Sequence, residues 1–229
     1  MQPQFPTSIT LSNSISTPLP EEYHFQDVRY TPELVSYFVE RYTSPGATVF
    51  DPFAGFGTTL LVARQLGRHP YGVEIDADKI DYLRSYHDFG EELLHGDIKR
   101  LILPQSFPCF DFVMTSPPYM GQEDTANALT GYRYAGSYEQ YLEGMQVIFK
   151  QLLPRLSEDA VVVVEIANLK QEHRITTLAW DVGRKLAEIM EFQGEIIVNW
   201  IGERAAHPEG LYNYGYDHSY CLVYTPSSL

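Results

Sequence analysis

Short apolar runs of strand length alternate along the chain with segments whose apolar residues recur at helical spacing. The predicted strands of the first half cover residues 48–53, 71–75, 92–98 and 110–115, and helices are predicted over about 58–66 and 77–89. Strands that alternate with helices in this way are typical of a parallel sheet with helices on both faces. The first half of the chain therefore predicts an α/β fold.

Two further helices have clear start signals. Thr31 precedes Pro32, which predicts a helix that begins with a cap residue and a proline in its first turn. Ser137 with Gln140 three residues later forms a capping box, which predicts the start of another helix. Residues 160–167 are so uniformly apolar that we expect this strand at the centre of the sheet, and a helix over about 176–192 follows it.

The last two strands are expected to pair with each other. Residues 194–201 and 216–224 are joined by a short loop rich in Gly, Pro and Tyr, which indicates an antiparallel hairpin rather than another crossover. We therefore predict one catalytic domain over residues 23–229, without a separate target-recognition domain. The polar segment 1–22, rich in Ser, Thr and Pro, is expected to be a flexible N-terminal arm.

Composition and charge limit the classes of function. The longest apolar run ends at Glu165, far short of the roughly 20 residues that cross a bilayer, and the N-terminus lacks the pattern of a signal peptide. These features favour a cytoplasmic protein that does not bind a membrane. The two cysteines, Cys109 and Cys221, lack the close spacing of zinc ligands, so we expect no metal. A net charge of −14 counts against tight, independent binding of a polyanion.

A glycine turn follows the first predicted strand, in Asp51-Pro52-Phe53-Ala54-Gly55-Phe56-Gly57-Thr58-Thr59. Alternate glycines allow the backbone to approach a ligand where a Cβ would collide. Ligands of open α/β sheets bind outside the carboxyl ends of the strands. Leu60 stands where the third glycine of a dinucleotide fingerprint would fall, and no Lys follows Gly57, so the turn favours a cofactor without phosphate.

Acidic residues follow the next two predicted strands. Glu74 lies about 20 residues beyond the glycine turn, where a carboxylate accepts hydrogen bonds from ribose hydroxyls. Asp97 ends the third strand and can accept from an adenine amino group. A glycine turn, a ribose acceptor and an adenine acceptor in this order describe S-adenosylmethionine, with Asp51 near its methionine amino group. Taken alone, Glu74 or Asp97 could equally be a helix cap or a surface charge.

The segment Ser116-Pro117-Pro118-Tyr119 follows the fourth predicted strand, at the same edge of the sheet. An exocyclic amine on a heteroaromatic ring is a poor nucleophile because its lone pair is delocalised into the ring. The Ser116 hydroxyl and the Pro117 carbonyl could accept both N–H bonds, and the prolines hold the segment rigid without competing N–H donors. Tyr119 could stack on a base that has left a duplex. The alternative interpretation is a stiff turn without catalytic function.

Together these motifs resemble the amino-methyltransferases of DNA, within the Rossmann-like, S-adenosylmethionine-dependent methyltransferases, over about residues 29–224. The resemblance implies a class I fold with a seven-stranded, mostly parallel sheet and an antiparallel last strand inserted beside the fifth. It implies catalysis by Ser116, Pro117, Pro118 and Tyr119. It implies S-adenosylmethionine binding by Tyr30, Thr31, Asp51, Pro52, Phe53, Ala54, Gly55, Gly57, Thr58, Glu74, Ile75, Asp97 and Ile98.

The same resemblance implies the target. In the family, Ser at the position of Ser116 goes more often with cytosine N4 and Asp with adenine N6, so cytosine in DNA is favoured. Transfer RNA as the substrate, and an inactive subunit that only binds the cofactor, remain the alternatives. Because no recognition domain is expected, a homodimer or a separate recognition subunit would have to supply sequence specificity.

Two loops and one basic patch could contact the nucleic acid. The loops cover residues 120–136 and 202–216, and the patch follows the fifth strand. Their aromatic and basic residues are Tyr132, Arg133, Tyr134, Arg204, His207, Tyr212 and Tyr214 in the loops, and Lys170, His173 and Arg174 in the patch. Interleaved aromatic and basic side chains suit a splayed base. Tyrosines ordered by packing, and a solvated helix start for the patch, are the alternatives.

Overall fold

A computed structural model of the protein describes residues 6–15, 18–171, 174–202, 206–207, 210–211 and 216–227. Its centre is a single eight-stranded sheet in the order β1-β7-β8-β6-β5-β2-β3-β4. The strands are β1 (Ser8–Ser12), β2 (Thr48–Asp51), β3 (His69–Glu74), β4 (Leu93–His95), β5 (Phe110–Thr115), β6 (Leu156–Ile166), β7 (Met190–Ile201) and β8 (His218–Pro226). The predicted α/β architecture is confirmed.

Five α-helices cover the sheet: α1 (Pro32–Tyr42), α2 (Thr58–Gln65), α3 (Ala77–His87), α4 (Tyr138–Leu152) and α5 (Leu178–Ala187). The predicted start signals are present in the structure. The Thr31 side chain accepts a hydrogen bond from the Leu34 backbone at the start of α1. Ser137 and Gln140 form both hydrogen bonds of the capping box at the start of α4. Local side-chain chemistry therefore sets where these two helices begin.

The antiparallel strand lies where the sequence predicted it. β8 is antiparallel to both of its neighbours, β6 and β7, whereas β2, β3, β4, β5 and β6 are parallel to one another in sheet order. The carboxyl ends of these five strands therefore meet at one edge of the sheet. We call it the carboxyl edge.

The apolar strand β6 is buried on both faces, as its composition predicted. Val162 packs into the core formed with α4 and α5, and its neighbour Val163 packs into the core formed with α1 and α2. Successive side chains of a strand point to opposite faces, so a central strand needs apolar residues at every position.

The N-terminal segment differs from its prediction. Residues 8–12, expected within a flexible arm, form β1, which extends the sheet from seven strands to eight by parallel pairing with β7. Leu11 and Leu19 are buried, with 8% and 3% of their surface exposed. Two apolar residues among polar ones give only a weak sequence pattern, and the partner strand lies almost 190 residues away.

No helix of the described residues is long and apolar enough to cross a membrane.

Candidate active site at the carboxyl edge

Four predicted site elements meet at the carboxyl edge. Asp51 is the last residue of β2, Glu74 is the last residue of β3, and Ser116 follows the last residue of β5. β4 ends at His95, earlier than expected, so Asp97 lies in the turn that follows the strand. Neighbouring strands therefore bring together residues that are up to 65 positions apart in the chain.

The two glycines of the turn have different tasks. Both have positive φ angles, +55° at Gly55 and +79° at Gly57. A Cβ on Gly57 would lie 2.4 Å from the Leu83 side chain of α3, whereas a Cβ on Gly55 would meet nothing closer than a backbone oxygen at 3.9 Å. Gly57 is thus required by packing between α2 and α3. Gly55 leaves open space at the edge where a ligand could lie.

Glu74 holds the glycine turn in place. Its carboxylate accepts hydrogen bonds from the backbone N–H groups of Gly55 at 2.6 Å, Ile75 at 2.9 Å and Asp76 at 2.8 Å. The side chain is 93% buried, since only 7% of the residue is exposed. Each carboxylate oxygen can accept more than one hydrogen bond, so acceptor capacity for a ligand hydroxyl remains.

Asp51 is a buried carboxylate without a cation of its own among the described ion pairs. It accepts hydrogen bonds from the Thr115 hydroxyl at 2.6 Å and the Phe53 N–H at 3.0 Å. Burial nevertheless raises the pKa of Asp51 to about 6, because the low-dielectric surroundings disfavour its ionised form. A positively charged ligand group at this position would stabilise the ionised form.

Tyr30 and Thr31 lie beside this carboxylate at the start of α1. The Tyr30 hydroxyl is 3.4 Å from the Asp51 carboxylate and is also hydrogen-bonded to the Thr59 hydroxyl. Burial raises the pKa of Tyr30 well above its ordinary value. Thr31 is 1% exposed and caps α1, which fixes the start of the helix next to Tyr30.

The remaining residues of the turn line its inner side. Pro52, Ala54 and Thr58 are buried, and Phe53 is half-buried against the core beneath α4. Their burial makes them part of the wall that shapes the turn. Within the turn, the backbone with open space beside it is at Gly55.

A cavity of about 210 Å³ lies next to Asp97. It is lined by Ile75, His95, Gly96, Asp97, Arg100, Thr130, Arg133 and Tyr134. One oxygen of Asp97 accepts from the Lys99 N–H at 3.0 Å, and the other lies 3.5 Å from the Arg100 guanidinium. Ile98, also predicted to contact the cofactor, is buried in the core beside this cavity's lining residue Asp97. The cavity thus lies at the predicted adenine acceptor, and Ile75, the residue after Glu74, also lines it.

The segment Ser116–Tyr119, which the sequence predicts to be the catalytic turn, is held in place by its neighbours. Pro117 is buried, and Ser116, Pro118 and Tyr119 are half-buried. The Tyr119 hydroxyl donates to the Glu165 carboxylate at 3.3 Å, and the Tyr119 carbonyl accepts from the Tyr132 hydroxyl at 2.8 Å. Contacts at both ends of Tyr119 restrict the orientation of its ring.

Glu165 is a buried residue beside the Ser116 turn that the sequence analysis did not single out. It lies near the end of β6 and is 7% exposed. The Tyr119 hydroxyl donates to it, and the pairing of Thr115 with Val164 places Ser116 next to it. Burial raises the pKa of this carboxyl. The available signal was a lone charge at the carboxyl end of an otherwise apolar central strand.

The predicted recognition segments lie only partly within the described residues. In the 120–136 loop, Arg133 and Tyr134 line the 210 Å³ cavity and Tyr132 contacts the catalytic turn. Arg204, Tyr212, Tyr214, His173 and the His207 side chain lie outside the described residues. Lys170 is exposed, and Arg174 forms an ion pair with Glu123 at 2.7 Å. Both belong to a small hairpin, Leu169–Gln171 with Arg174–Thr176, so the alternative of a helix start is wrong.

The residues at this edge fit S-adenosylmethionine. The Glu74 carboxylate can accept from the ribose hydroxyls, the Asp97 carboxylate can accept from the adenine amino group, and the Asp51 carboxylate can pair with the methionine ammonium. Gly55 leaves open space beside them. The chemistry of the donors and acceptors therefore agrees with the predicted cofactor.

Comparison with solved protein structures shows the fold. TrmN from Thermus thermophilus superimposes with a TM-score of 0.58 at 18% identity, covering 93% of this chain and 55% of TrmN. The glycopeptide N-methyltransferase MtfA, solved in complex with S-adenosyl-L-methionine, superimposes with a TM-score of 0.55 at 12% identity, covering 86% of this chain and 87% of MtfA. The chain has the Rossmann-like fold of S-adenosylmethionine-dependent methyltransferases, and S-adenosylmethionine is the cofactor of that class, as predicted.

Within this class, the resemblance to DNA amino-methyltransferases is confirmed for part of the chain. Residues 10–85 match the family model described as DNA methylase. A 61-residue segment is 38% identical to the Type II methyltransferase M.BglII of Bacillus subtilis and covers 27% of this chain. That segment spans only 17% of the length of M.BglII. The matched residues hold the glycine turn and Glu74, whereas the catalytic turn lies beyond the family match.

Proposed function

We propose that the protein transfers a methyl group from S-adenosylmethionine to an exocyclic amino group of a nucleobase, with cytosine N4 in DNA as the favoured target. One observation carries the proposal. The Thr115 hydroxyl, next to the catalytic turn, donates to the Asp51 carboxylate, next to the glycine turn, at 2.6 Å. This hydrogen bond holds the glycine turn and the Ser116–Tyr119 turn side by side.

In the proposed site the chain's own residues bind and orient. Glu74 and Asp97 accept from the adenosyl group, and the buried charge of Asp51 attracts the methionine ammonium. When bound, the cofactor supplies an electrophilic methyl group on its sulfonium. Orientation of two reactants in one site supplies much of the rate of such a direct transfer.

The catalytic turn would act on the target amine. The Ser116 hydroxyl has two lone pairs with which it can accept an N–H of the substrate. The Pro117 carbonyl can accept the second N–H, since neither proline of the turn offers a competing donor. Two acceptors favour a pyramidal nitrogen whose lone pair is no longer delocalised. Tyr119, fixed at both ends, offers a face on which an extruded base can stack.

The choice of cytosine and of DNA rests on two supports. Ser116 stands where the resembling family has Ser with cytosine enzymes, and the family model that matches residues 10–85 is that of DNA methylases. We further propose that a homodimer or a separate recognition subunit contributes sequence specificity, because the net charge of −14 disfavours tight DNA binding by this chain alone.

The test is to incubate the protein with labelled S-adenosylmethionine and separate pools of duplex DNA, single-stranded DNA and transfer RNA, followed by nucleoside mass spectrometry. We expect N4-methylcytosine in DNA, and its loss with Ser116→Ala while cofactor affinity is kept. N6-methyladenine would change the base, and label confined to transfer RNA would change the substrate. Tight cofactor binding without label in any pool would favour the inactive subunit.

A further inference from the structure

Glu165 is a buried carboxylate beside the Ser116–Tyr119 turn, and it has no role in the reaction proposed above. Glu165 is 7% exposed, and no described cation forms an ion pair with it. The Tyr119 hydroxyl donates to it at 3.3 Å, and the Ser116 and Ser219 hydroxyls also favour its ionised form. Burying an unpaired charge destabilises a fold, so a carboxylate kept there without a cation suggests a function.

Ser116 and Glu165 are neighbours across the sheet, because Thr115 of β5 pairs with Val164 of β6 and each residue follows its pair. Ser116 and Ser219 both favour the ionised form of Glu165 and so lower its pKa. The Trp200 indole N–H donates to the Ser219 Oγ at 3.1 Å, which leaves the Ser219 hydrogen for another acceptor. A hydroxyl has one hydrogen to donate, so a Ser116 hydroxyl directed at Glu165 faces the substrate only as an acceptor. Glu165 thereby fixes the polarity of the group that meets the amine.

We propose that Glu165 is a positioning residue that takes up, through the Ser116 hydroxyl, the proton that the target amine loses. This inference rests on the proposed function, because it requires an amine at Ser116. As the nitrogen–carbon bond forms, the carbon–sulfur bond breaks and its electron pair stays on sulfur. The nitrogen then carries one proton too many, which passes to Ser116 Oγ while the Ser116 hydrogen passes to Glu165. The products are a neutral methylated amine and a protonated Glu165.

The surroundings of Glu165 suit this task. The titratable groups that face it are Tyr119 from the catalytic turn, Cys221 from β8 and Tyr30 before α1. The pKa values of Cys221 and Tyr30 lie well above their ordinary values, so both groups stay neutral near pH 7. Burial also raises the pKa of Glu165, which makes it a stronger proton acceptor than a surface carboxylate.

The sign of the pH dependence follows from this role. Glu165 must be ionised to accept a proton, so the proposal gives kcat an acid limb that falls as the pH drops through the raised pKa of Glu165. Asp51, whose pKa is about 6, would affect cofactor binding in the same range. Saturating S-adenosylmethionine removes the effect of Asp51 from kcat.

The experiment compares Glu165→Gln with Glu158→Gln, the same change at an exposed position of the same strand. Gln keeps the shape and an acceptor oxygen but cannot take up the proton. We expect Glu165→Gln to lower kcat by roughly 100-fold, the scale of general acid–base catalysis, with little change in KM, and to abolish the acid limb. Glu158→Gln should behave as the wild type. A Glu165→Gln enzyme that keeps its kcat, or keeps the same acid limb, would overturn the proposal.

A second measurement does not depend on turnover or on how well Glu165→Gln folds. The pKa of the Glu165 carboxyl is measured by ¹³C NMR in the wild type and in Ser116→Ala, both without ligand. Loss of the Ser116 donor should raise this pKa, since the hydrogen bond stabilises the ionised form. An unchanged pKa would overturn the coupling. If the wild type methylates no pool, the proposed function fails, while this titration still decides whether Ser116 and Glu165 act together.

Discussion

At the scale of single residues, the site depends on carboxylates that the fold buries. Asp51, Glu74 and Glu165 are each at most 7% exposed. Glu74 is satisfied by three backbone N–H groups, whereas Asp51 and Glu165 have raised pKa values. The ionised forms of Asp51 and Glu165 are therefore destabilised, and a cationic ligand group or a bound proton would remove this cost. Such perturbed pKa values are typical of functional sites.

Asp51→Asn tests this reasoning through stability. The folded-state pKa of Asp51 is about 6, above its ordinary value of 3.8, so the wild type loses stability as the pH rises from about 4 to 6. The loss should be about 3 kcal/mol, at 1.36 kcal/mol for each pKa unit. Asn can accept the same hydrogen bonds from Thr115 and Phe53. Asp51→Asn should therefore be more stable than the wild type at pH 8 without ligand, yet gain less from added S-adenosylmethionine.

Urea unfolding at pH 4 and pH 8, with and without the cofactor, measures both effects. Asp159→Asn is the control, because Asp159 is exposed on β6 and should change neither quantity. A less stable Asp51→Asn protein at pH 8 would show that the buried charge is compensated in the absence of a ligand.

At the scale of elements, the glycine turn joins cofactor binding to helix packing. Gly57 begins α2 with a left-handed conformation, and α3 packs so closely that Leu83 would lie 2.4 Å from an added Cβ. The same turn presents Gly55 to open space. The packing of α2 on α3 therefore fixes the position of the ligand-facing backbone.

Gly57→Ala and Gly67→Ala separate the two costs of replacing a glycine. Both positions have similar φ angles, +79° and +75°, but nothing lies within 4 Å of a Cβ on Gly67. Gly67→Ala should lower the free energy of unfolding by roughly 1–2 kcal/mol for the left-handed backbone alone. Gly57→Ala should cost about 1–3 kcal/mol more from overpacking.

Leu83→Ala should make Gly57→Ala less costly in a double-mutant cycle, because it removes the atoms that collide. Denaturant unfolding of the four proteins measures this coupling. Equal costs for Gly57→Ala and Gly67→Ala, or no coupling to Leu83, would contradict the packing role of Gly57.

At the scale of the whole molecule, the features that could be predicted from the sequence are those that depend on a short stretch of chain. The capping box at Ser137, the apolar strand β6 and the antiparallel β8 all follow from spacing or composition, and all are present. β1 and the role of Glu165 could not be predicted, because each depends on a partner distant in the chain. Leu11 of β1 is buried by the pairing of β1 with β7. The role proposed for Glu165 depends on its position beside Ser116 and Ser219.

The boundaries of strand β4 were wrong for a related reason. Residues 92–98 read as one strand, but pairing with β3 ends at His95, after which Gly96 has a φ of +159°. The chain then turns, so Ile98 enters the core while Asp97 reaches the cavity. Apolar residues on both sides of a turn can look like a continuous strand in sequence.

The central claim is that the glycine turn and the Ser116 turn share one pocket for a methyl donor and a target amine. A crystal structure with bound S-adenosylmethionine tests it most directly. We predict the ribose at Glu74, the adenine beside Asp97 and Ile75, and the sulfonium methyl directed toward Ser116 and Tyr119. Cofactor bound elsewhere, or with its methyl group directed away from the Ser116 turn, would contradict the account.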